Sequence, residues 1–169
     1  MGRLLYLACI AGLIALLLRI FVVEGIVIAS ASMDPTLPVG RHVFVNKLSY
    51  AFGKPQRGDV VMFPSPVDVE KGLVKRVIAI EGDSIEIHNK DVLVNGVLLR
   101  EPYVVHTRPD ERLKGDELGP IPVPPGAVFV MGDNRDESGD NRDWVNPVTK
   151  DPIHFISVKN IRGKVLGNY

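Results

Sequence analysis

A serine attacks a carbonyl only when a neighbouring base takes its proton, so the residues of first interest are hydroxyls and the bases that could serve them. Histidine is the usual base, and the chain has four: His42, His88, His106 and His154. None stands in a recognisable motif and no HExxH occurs, so a surface or strand role is the better reading of each. Lysine can serve instead when it is neutral. Its reference pKa of about 10.4 must then fall by several units, which burial among apolar groups achieves. Lys75 fits that need, because it lies within Leu73-Val74-Lys75-Arg76-Val77-Ile78-Ala79-Ile80, an apolar run read as a β-strand. Alternation puts Lys75 on one face with Leu73, Val77 and Ala79, and Arg76 on the other with Val74, Ile78 and Ile80. Two adjacent cations in such a strand either reach water from a sheet edge or are buried for a reason.

Two other segments carry polar chemistry. In Ile28-Ala29-Ser30-Ala31-Ser32-Met33-Asp34-Pro35-Thr36-Leu37, Pro35 biases Asp34 to an extended backbone, and the small residues at 29–32 permit close approach of another chain. Taken alone, it could equally be a linker. In Met131-Gly132-Asp133-Asn134-Arg135-Asp136-Glu137-Ser138-Gly139-Asp140-Asn141-Arg142 neither register supplies both the glycine and the glutamate of an EF-hand calcium loop. That leaves a solvated charged turn or a hydrogen-bond scaffold that holds a neighbouring site rigid.

The elements that must position these residues are mostly short β-type runs between turn signals. His42–Leu48, Asp59–Phe63, Leu73–Ile80, Ser84–His88, Val92–Val94 and Ala127–Met131 read as strands, and Asn95-Gly96 is the strongest hairpin signal. Arg100–Leu118 is a polar excursion, Pro120–Pro125 is stiff and extended, and Pro152–Leu166 has room for one or two more strands. The sum is a mainly β single domain over residues 24–169.

Ahead of it, Leu4–Leu18 is an apolar run of 15 residues, roughly 22 Å as a helix. Ile20–Val23 would complete a span if Arg19 reaches the headgroups, giving one transmembrane helix at about 4–22 and an anchor at 1–23. A cleavable secretory signal would use Leu4–Leu18 as its apolar region and Ala29-Ser30-Ala31 as its cleavage site. The 13 residues from Arg19 to Ala31 are long and apolar for that purpose, which favours the anchor. Arg3 and Arg19 flank the run on both sides, and the N-terminus is taken as cytoplasmic. Lys+Arg and Asp+Glu balance at 20 each with no basic stripe, so nucleic acid is not an expected partner. The single cysteine, Cys9, excludes an intrachain disulfide, and no metal-ligand cluster or cofactor motif is present.

Taken in order, these segments resemble the bacterial type I signal peptidases. Ser32-Met33-x-Pro35-Thr36-Leu37 is similar to that family's nucleophile box, and Gly58-Asp59-Val60-Val61-Met62-Phe63 to the next. Lys75-Arg76-Val77-Ile78-Ala79-Ile80-Glu81-Gly82-Asp83 resembles the general-base box, and Gly132-Asp133-Asn134-Arg135-Asp136-x-Ser138-x-Asp140-x-Arg142 the last. Ala29-Ser30-Ala31 stands where Pro-Ser-Gly is common in the family. The resemblance implies Ser32 as nucleophile, Lys75 as its base, and an oxyanion hole from the Ser32 N–H and the Ser30 hydroxyl. It implies Ser138 orienting the lysine, an Asp140–Arg142 ion pair beside it, and supporting roles for Arg76, Gly132 and Asp133. It implies shallow pockets walled by Ile26, Ile28, Ala29, Met33, Leu37, Val43, Met62, Leu73 and Val74, which would accept small side chains at the first and third positions before the cut. It also implies a β-ribbon excursion at about 86–125, preprotein substrates, a single-pass plasma or inner membrane location with the catalytic domain outside, and possible contact with the secretion translocon. The rivals are another Ser/Lys peptidase, such as a pilus-maturation enzyme, and an inactive β-domain that only binds exported chains.

Overall fold

The computed structural model describes residues 2–51 and 53–167. Helix α1 (Gly2–Phe21) is apolar on every side and packs no face into a core. Its last turn carries Arg19, the favourable charge for that end of a helix. The Ile20 carbonyl there accepts from Lys47 Nζ at 3.1 Å, and Lys47 also pairs with Glu24 at 3.0 Å.

The rest is mainly β. Seven strands form the larger sheet: β1 (Val23–Val27), β2 (His42–Asn46), β3 (Val60–Pro64), β4 (Gly72–Ile80), β9 (Ala127–Met131), β10 (Ile156–Ser157) and β11 (Gly163–Leu166). Their order is β1-β2-β11-β3-β4-β9-β10, every neighbour antiparallel. The chain's last strand therefore enters the middle of the sheet. Gly163 permits this, since a Cβ there would strike the Asn46 carbonyl and Val45. Between β4 and β9 in sequence, β5 (Ser84–His88), β6 (Asp91–Val94), β7 (Val97–Leu98) and β8 (Leu118–Pro122) make a second sheet, ordered β7-β6-β5-β8. The Asn95-Gly96 turn has both residues at positive φ, 55° and 75°, as a tight two-residue hairpin requires. Pro120–Pro125, expected only to be stiff, contributes to β8, whose residues Leu118, Ile121 and Pro122 register with β5.

Strand β4 lies inside the larger sheet, between β3 and β9, and its two cations are buried, so the reading in which both reach water from a sheet edge does not hold. Lys75 is 2% and Arg76 4% exposed. The simple alternation of faces holds only to Val77. A register irregularity opposite β9 between Val77 and Ala79 turns Ala79 into the cluster with Ile78, Ile85 and Phe129, while Ile80 joins Val77 and Phe63. A bulge inserts one residue on one side, and every side chain beyond it changes face.

Trp144 is buried edge-on against Phe63, with ring centroids 6.1 Å apart, and Phe155 packs against Phe129. Trp144 is thus committed to the core and Phe155 is half-buried against it; Phe52 lies outside the described residues.

Candidate active site

Ser32 sits on the connection from β1 to β2, in a short 3-10 turn, Ala31–Met33. Two buried side chains, Met33 and Leu37, pin this turn into the cluster with Ile28, Val43 and Val45. Backbone bonds close the connection on itself: Leu37 N–H to Met33 O at 2.8 Å, Gly40 N–H to Ile28 O at 2.8 Å, and Ile28 N–H to Arg41 O at 3.0 Å. Asp34 is extended, as the following proline demands. The first N–H groups of a helical turn have no acceptor within it, and Ser32 occupies such a position. Ser30, the residue before the turn, makes no side-chain cap; its hydroxyl instead lies 3.2 Å from the Ser32 hydroxyl. The Ser30 hydroxyl is thus a hydrogen-bond partner of Ser32 Oγ, at the start of the turn that carries it.

Lys75 comes from β4. Its Nζ donates to Ser138 Oγ at 2.9 Å, and Ser138 Oγ donates to Asp140 Oδ2 at 2.7 Å. Burial pushes the Lys75 ammonium down from 10.5 to about 8; the Asp140 charge opposes that fall and the Arg142 charge assists it. Asp140 is wholly buried and burial alone would raise it, but Arg142, Lys75 and the Ser138 hydrogen bond together hold the carboxyl below its ordinary range. Arg142 binds both carboxylate oxygens, Nε at 2.8 Å and Nη2 at 2.9 Å. Among the described residues no hydrogen bond joins Ser32 to Lys75. Ligand-free enzymes commonly hold such bonds long, and they tighten when substrate is bound.

Gly132 is the junction. Met131 pairs with Arg76 across β4 and β9, so Gly132 comes next, beside Lys75. A Cβ at this glycine would overlap the Ser32 carbonyl and the Ser138 side chain together. Its own N–H donates to Asp140 Oδ2 at 3.1 Å. The following residue but one, Asn134, donates its N–H to Ser32 O at 3.1 Å. The strand of the base, the turn of the serine and the charged loop meet within one residue's width.

The charged loop is thus no solvated turn. Asp133, Asn134, Arg135, Asp136, Ser138, Asp140, Asn141 and Arg142 are all buried. Arg76 binds Asp133 through Nε at 2.8 Å and Nη2 at 2.6 Å, and the same carboxylate accepts from Thr36 Oγ1 at 2.6 Å. That last bond ties the serine's segment to the loop. Sequence reading placed Thr36 inside a motif but gave it no role; nothing in the linear pattern pairs residues 97 positions apart. Asn134 and Arg135 were likewise only members of a motif.

Beside Ser32 lies a cavity of about 240 Å³, with Ile26, Ile28, Ala29, Met33, Met62, Leu73 and Val74 among its walls. Ser30, Val27 and Gly72, not expected as walls, line it too. Leu37 and Val43 do not; they are buried behind the wall, in the cluster that supports it. Strand β1 is the sheet's edge, and β4 pairs with β9 only from Arg76 onward, so residues 72–75 have no strand on that side. Two unpaired strand edges thus border the cavity. Among the described residues no group of three His, Cys, Asp or Glu side chains could hold a metal.

Comparison with known proteins agrees with this geometry. The family model "Signal peptidase, peptidase S26" matches residues 1–169. Signal peptidase I P of Bacillus subtilis subsp. natto is 39% identical over 163 residues, 90% of this chain and 87% of that protein. The probable signal peptidase I-1 of a Synechocystis species is 41% identical over 167 residues, 95% and 78% of the two chains. The crystal structure of a signal peptidase I from Enterococcus faecalis superposes with a TM-score of 0.51 at 27% identity, covering 67% of this chain and 97% of that one. With the family model covering every residue and curated relatives aligned over nine-tenths of the chain, this protein belongs to the signal peptidase family, peptidase S26.

Proposed function

We propose that the chain is a membrane-anchored serine endopeptidase that removes signal peptides from exported preproteins after small-x-small sites, with Ser32 as nucleophile and Lys75 as general base. The observation that carries this reading is Lys75: a cation buried on an interior strand, brought down to about 8 by that burial, near a serine turn whose Ser32-Met33-x-Pro35-Thr36-Leu37 resembles the family's nucleophile box. Near neutrality a useful fraction of Lys75 is unprotonated. That form accepts the Ser32 proton as Oγ attacks the scissile carbonyl, and the resulting ammonium gives it to the leaving amine. The Ser138 hydroxyl, itself committed to Asp140, fixes the direction of Nζ. The Ser32 N–H and the Ser30 hydroxyl receive the charge that develops on the carbonyl oxygen; one such donor in a dry site is worth about 3–4 kcal/mol.

Substrate selection follows from the cavity. Its apolar walls accept a methyl group and exclude long or charged side chains, which cost more to desolvate than shallow contact returns. The open edges of β1 and of β4 at 72–75 give an extended substrate backbone its hydrogen-bonding partners, an added strand that presents alternate side chains to the cavity. Alternation along that strand accounts for selection at the first and third positions.

Helix α1 has the length and apolarity of a membrane span. In the domain that follows, Phe44 of β2 is 62% exposed and registers with the exposed Leu166 on β11, and Leu48 in the next turn is exposed as well. Exposed apolar side chains of this kind suit a domain resting against a bilayer. The catalytic domain then lies outside the membrane, where exported chains emerge, and contact with a translocon would follow from that placement. The deciding experiment compares wild type with Ser32→Ala and Lys75→Ala on a precursor bearing an Ala-x-Ala site. Both variants should fold and fail to cleave. Normal turnover by either removes the mechanism, and a fully active Ser32→Ala would leave the domain a binding module.

A further inference from the structure

We propose that Tyr103 and Glu101, on the arm of the second-sheet excursion, are positioning residues for hydrolysis, because they clamp the two arginines through which the serine turn and the charged loop are held together. The inference rests on the Ser32/Lys75 reading above. The Tyr103 ring lies over the Arg76 guanidinium, 3.9 Å from its carbon to the ring centroid. The other edge of that guanidinium is committed to Asp133, and Asp133 holds Thr36, four residues after Ser32. Glu101 Oε1 accepts from the Tyr103 hydroxyl at 2.9 Å and from Arg135 Nη2 at 2.7 Å. Arg135 Nε in turn donates to the Gly132 carbonyl at 3.1 Å, and Gly132 is the residue wedged between Ser32 and Ser138. One carboxylate thus joins both routes to the reacting serine.

The arm is fastened in place by backbone bonds. Val105 N–H donates to Asp133 O and Arg135 N–H to Val105 O, each at 3.0 Å. Neither Tyr103 nor Glu101 lines the substrate cavity. A planar cation held between a carboxylate and a ring face cannot rotate away, and the attraction strengthens when water is excluded. Without the ring, Arg76 gains freedom and water reaches the Asp133 carboxylate. The charge of Asp133 raises the Lys75 pKa, so a looser Arg76 leaves more of that charge uncompensated and makes the base harder to deprotonate.

The test uses the full chain in detergent with a precursor bearing an Ala-x-Ala site. Wild type, Tyr103→Leu, Tyr103→Phe and Glu101→Gln are compared, with Ser32→Ala as the blank. Tyr103→Leu should lower kcat by at least ~10-fold with KM changed less than about twofold, since displacing a reacting group by about 1 Å can cost ~100-fold. Its acid limb should move to higher pH. Tyr103→Phe keeps the ring and should restore the wild-type limb, and Glu101→Gln, which keeps an acceptor oxygen, should fall between. Unchanged kcat and limb in folded Tyr103→Leu overturn the proposal. So does a rise in KM alone, which would make Tyr103 a substrate contact, or a kcat loss that matches the unfolded fraction with no movement of the limb. If Ser32→Ala cleaves like wild type, it is the underlying Ser/Lys reading that has failed.

Discussion

Replacing Lys75, the proposed base, should make the protein more stable, by an amount that follows from its burial. Lys75 titrates from 10.5 in an unfolded chain to about 8 in the fold, chiefly because it is buried. Between those values the unfolded state holds a proton that the folded state has released, so the stability of the wild type rises with pH across that window. Below about pH 8 both states are protonated, and folding then carries the full cost of burying the ammonium. A difference of about 2.5 units at 1.36 kcal/mol each makes that cost roughly 3 kcal/mol. Lys75→Met has nearly the same length and no charge. It loses the bond to Ser138, about 1 kcal/mol, while Ser138 keeps its own bond to Asp140. At pH 7 the variant should therefore be the more stable by about 2 kcal/mol while cleaving nothing. Urea unfolding of both full chains in detergent measures it, followed by the emission of Trp144, the single tryptophan, packed against Phe63. The gap should close between pH 8 and 10.5 as the wild type gains what the variant cannot; other titrating groups are common to both and cancel. A variant less stable than wild type at pH 7, or a gap indifferent to pH, would show that Lys75 is not strained by its burial and would remove the physical case for it as the base.

Three further outcomes follow from the same geometry. The rate against pH should rise with an acid limb near 8, the value to which burial brings Lys75; a limb near the histidine value of about 6.5 would point to another base. Gly132→Ala should abolish cleavage and lower stability by about 1–3 kcal/mol, as overpacking does, because its Cβ meets the Ser32 carbonyl and Ser138 rather than the loose end of a side chain; an active, stable variant would show that the two segments are not wedged together. Gly72→Ala places a Cβ 3.2 Å from the Met62 methyl, and both residues line the cavity. It should penalise a precursor with Val at a small position by roughly 10–200-fold relative to Ala, the range for one methylene in a tight pocket. Adding Met62→Ala should relieve the penalty, and equal discrimination by all three proteins would show that this wall does not read the substrate.

How much of this was legible before the structure depends on how local the cause is. Ser84–His88 and Ala127–Met131 form strands with the limits read from the sequence, the first from its period of two and the second from a continuous apolar run, because such runs and their flanking turns are local facts. The placement of the C-terminal strand between β2 and β3 is not local. It depends on Gly163 clearing the Asn46 carbonyl, which no pattern within residues 152–166 encodes. Lys75 illustrates the boundary. Its strand was plain, but of the two readings of its charge, edge or interior, the local pattern favoured the edge. Burial decides between them: β9 pairs with β4 only from Arg76 onward, yet Lys75 is 2% exposed, bonded to Ser138 of the charged loop. Ser32 was least legible of all. Its segment reads as a linker until the partners of its neighbours are known: Thr36 on Asp133, and the Ser32 carbonyl on Asn134. Each of those bonds spans roughly a hundred residues, so the reactivity of the serine is a property of the charged loop as much as of its own turn. The same reasoning explains why the loop is buried despite its composition. Its buried carboxylates each meet a cation: Asp133 meets Arg76 from β4, Asp136 meets Lys90 from the second sheet's β5–β6 turn, and Asp140 meets Arg142 of the loop itself, with Lys75 at one remove through Ser138. Part of the neutralisation is local, Arg142 on Asp140, but Arg76 and Lys90 come from distant segments, and the sequence shows the run without showing those arrivals.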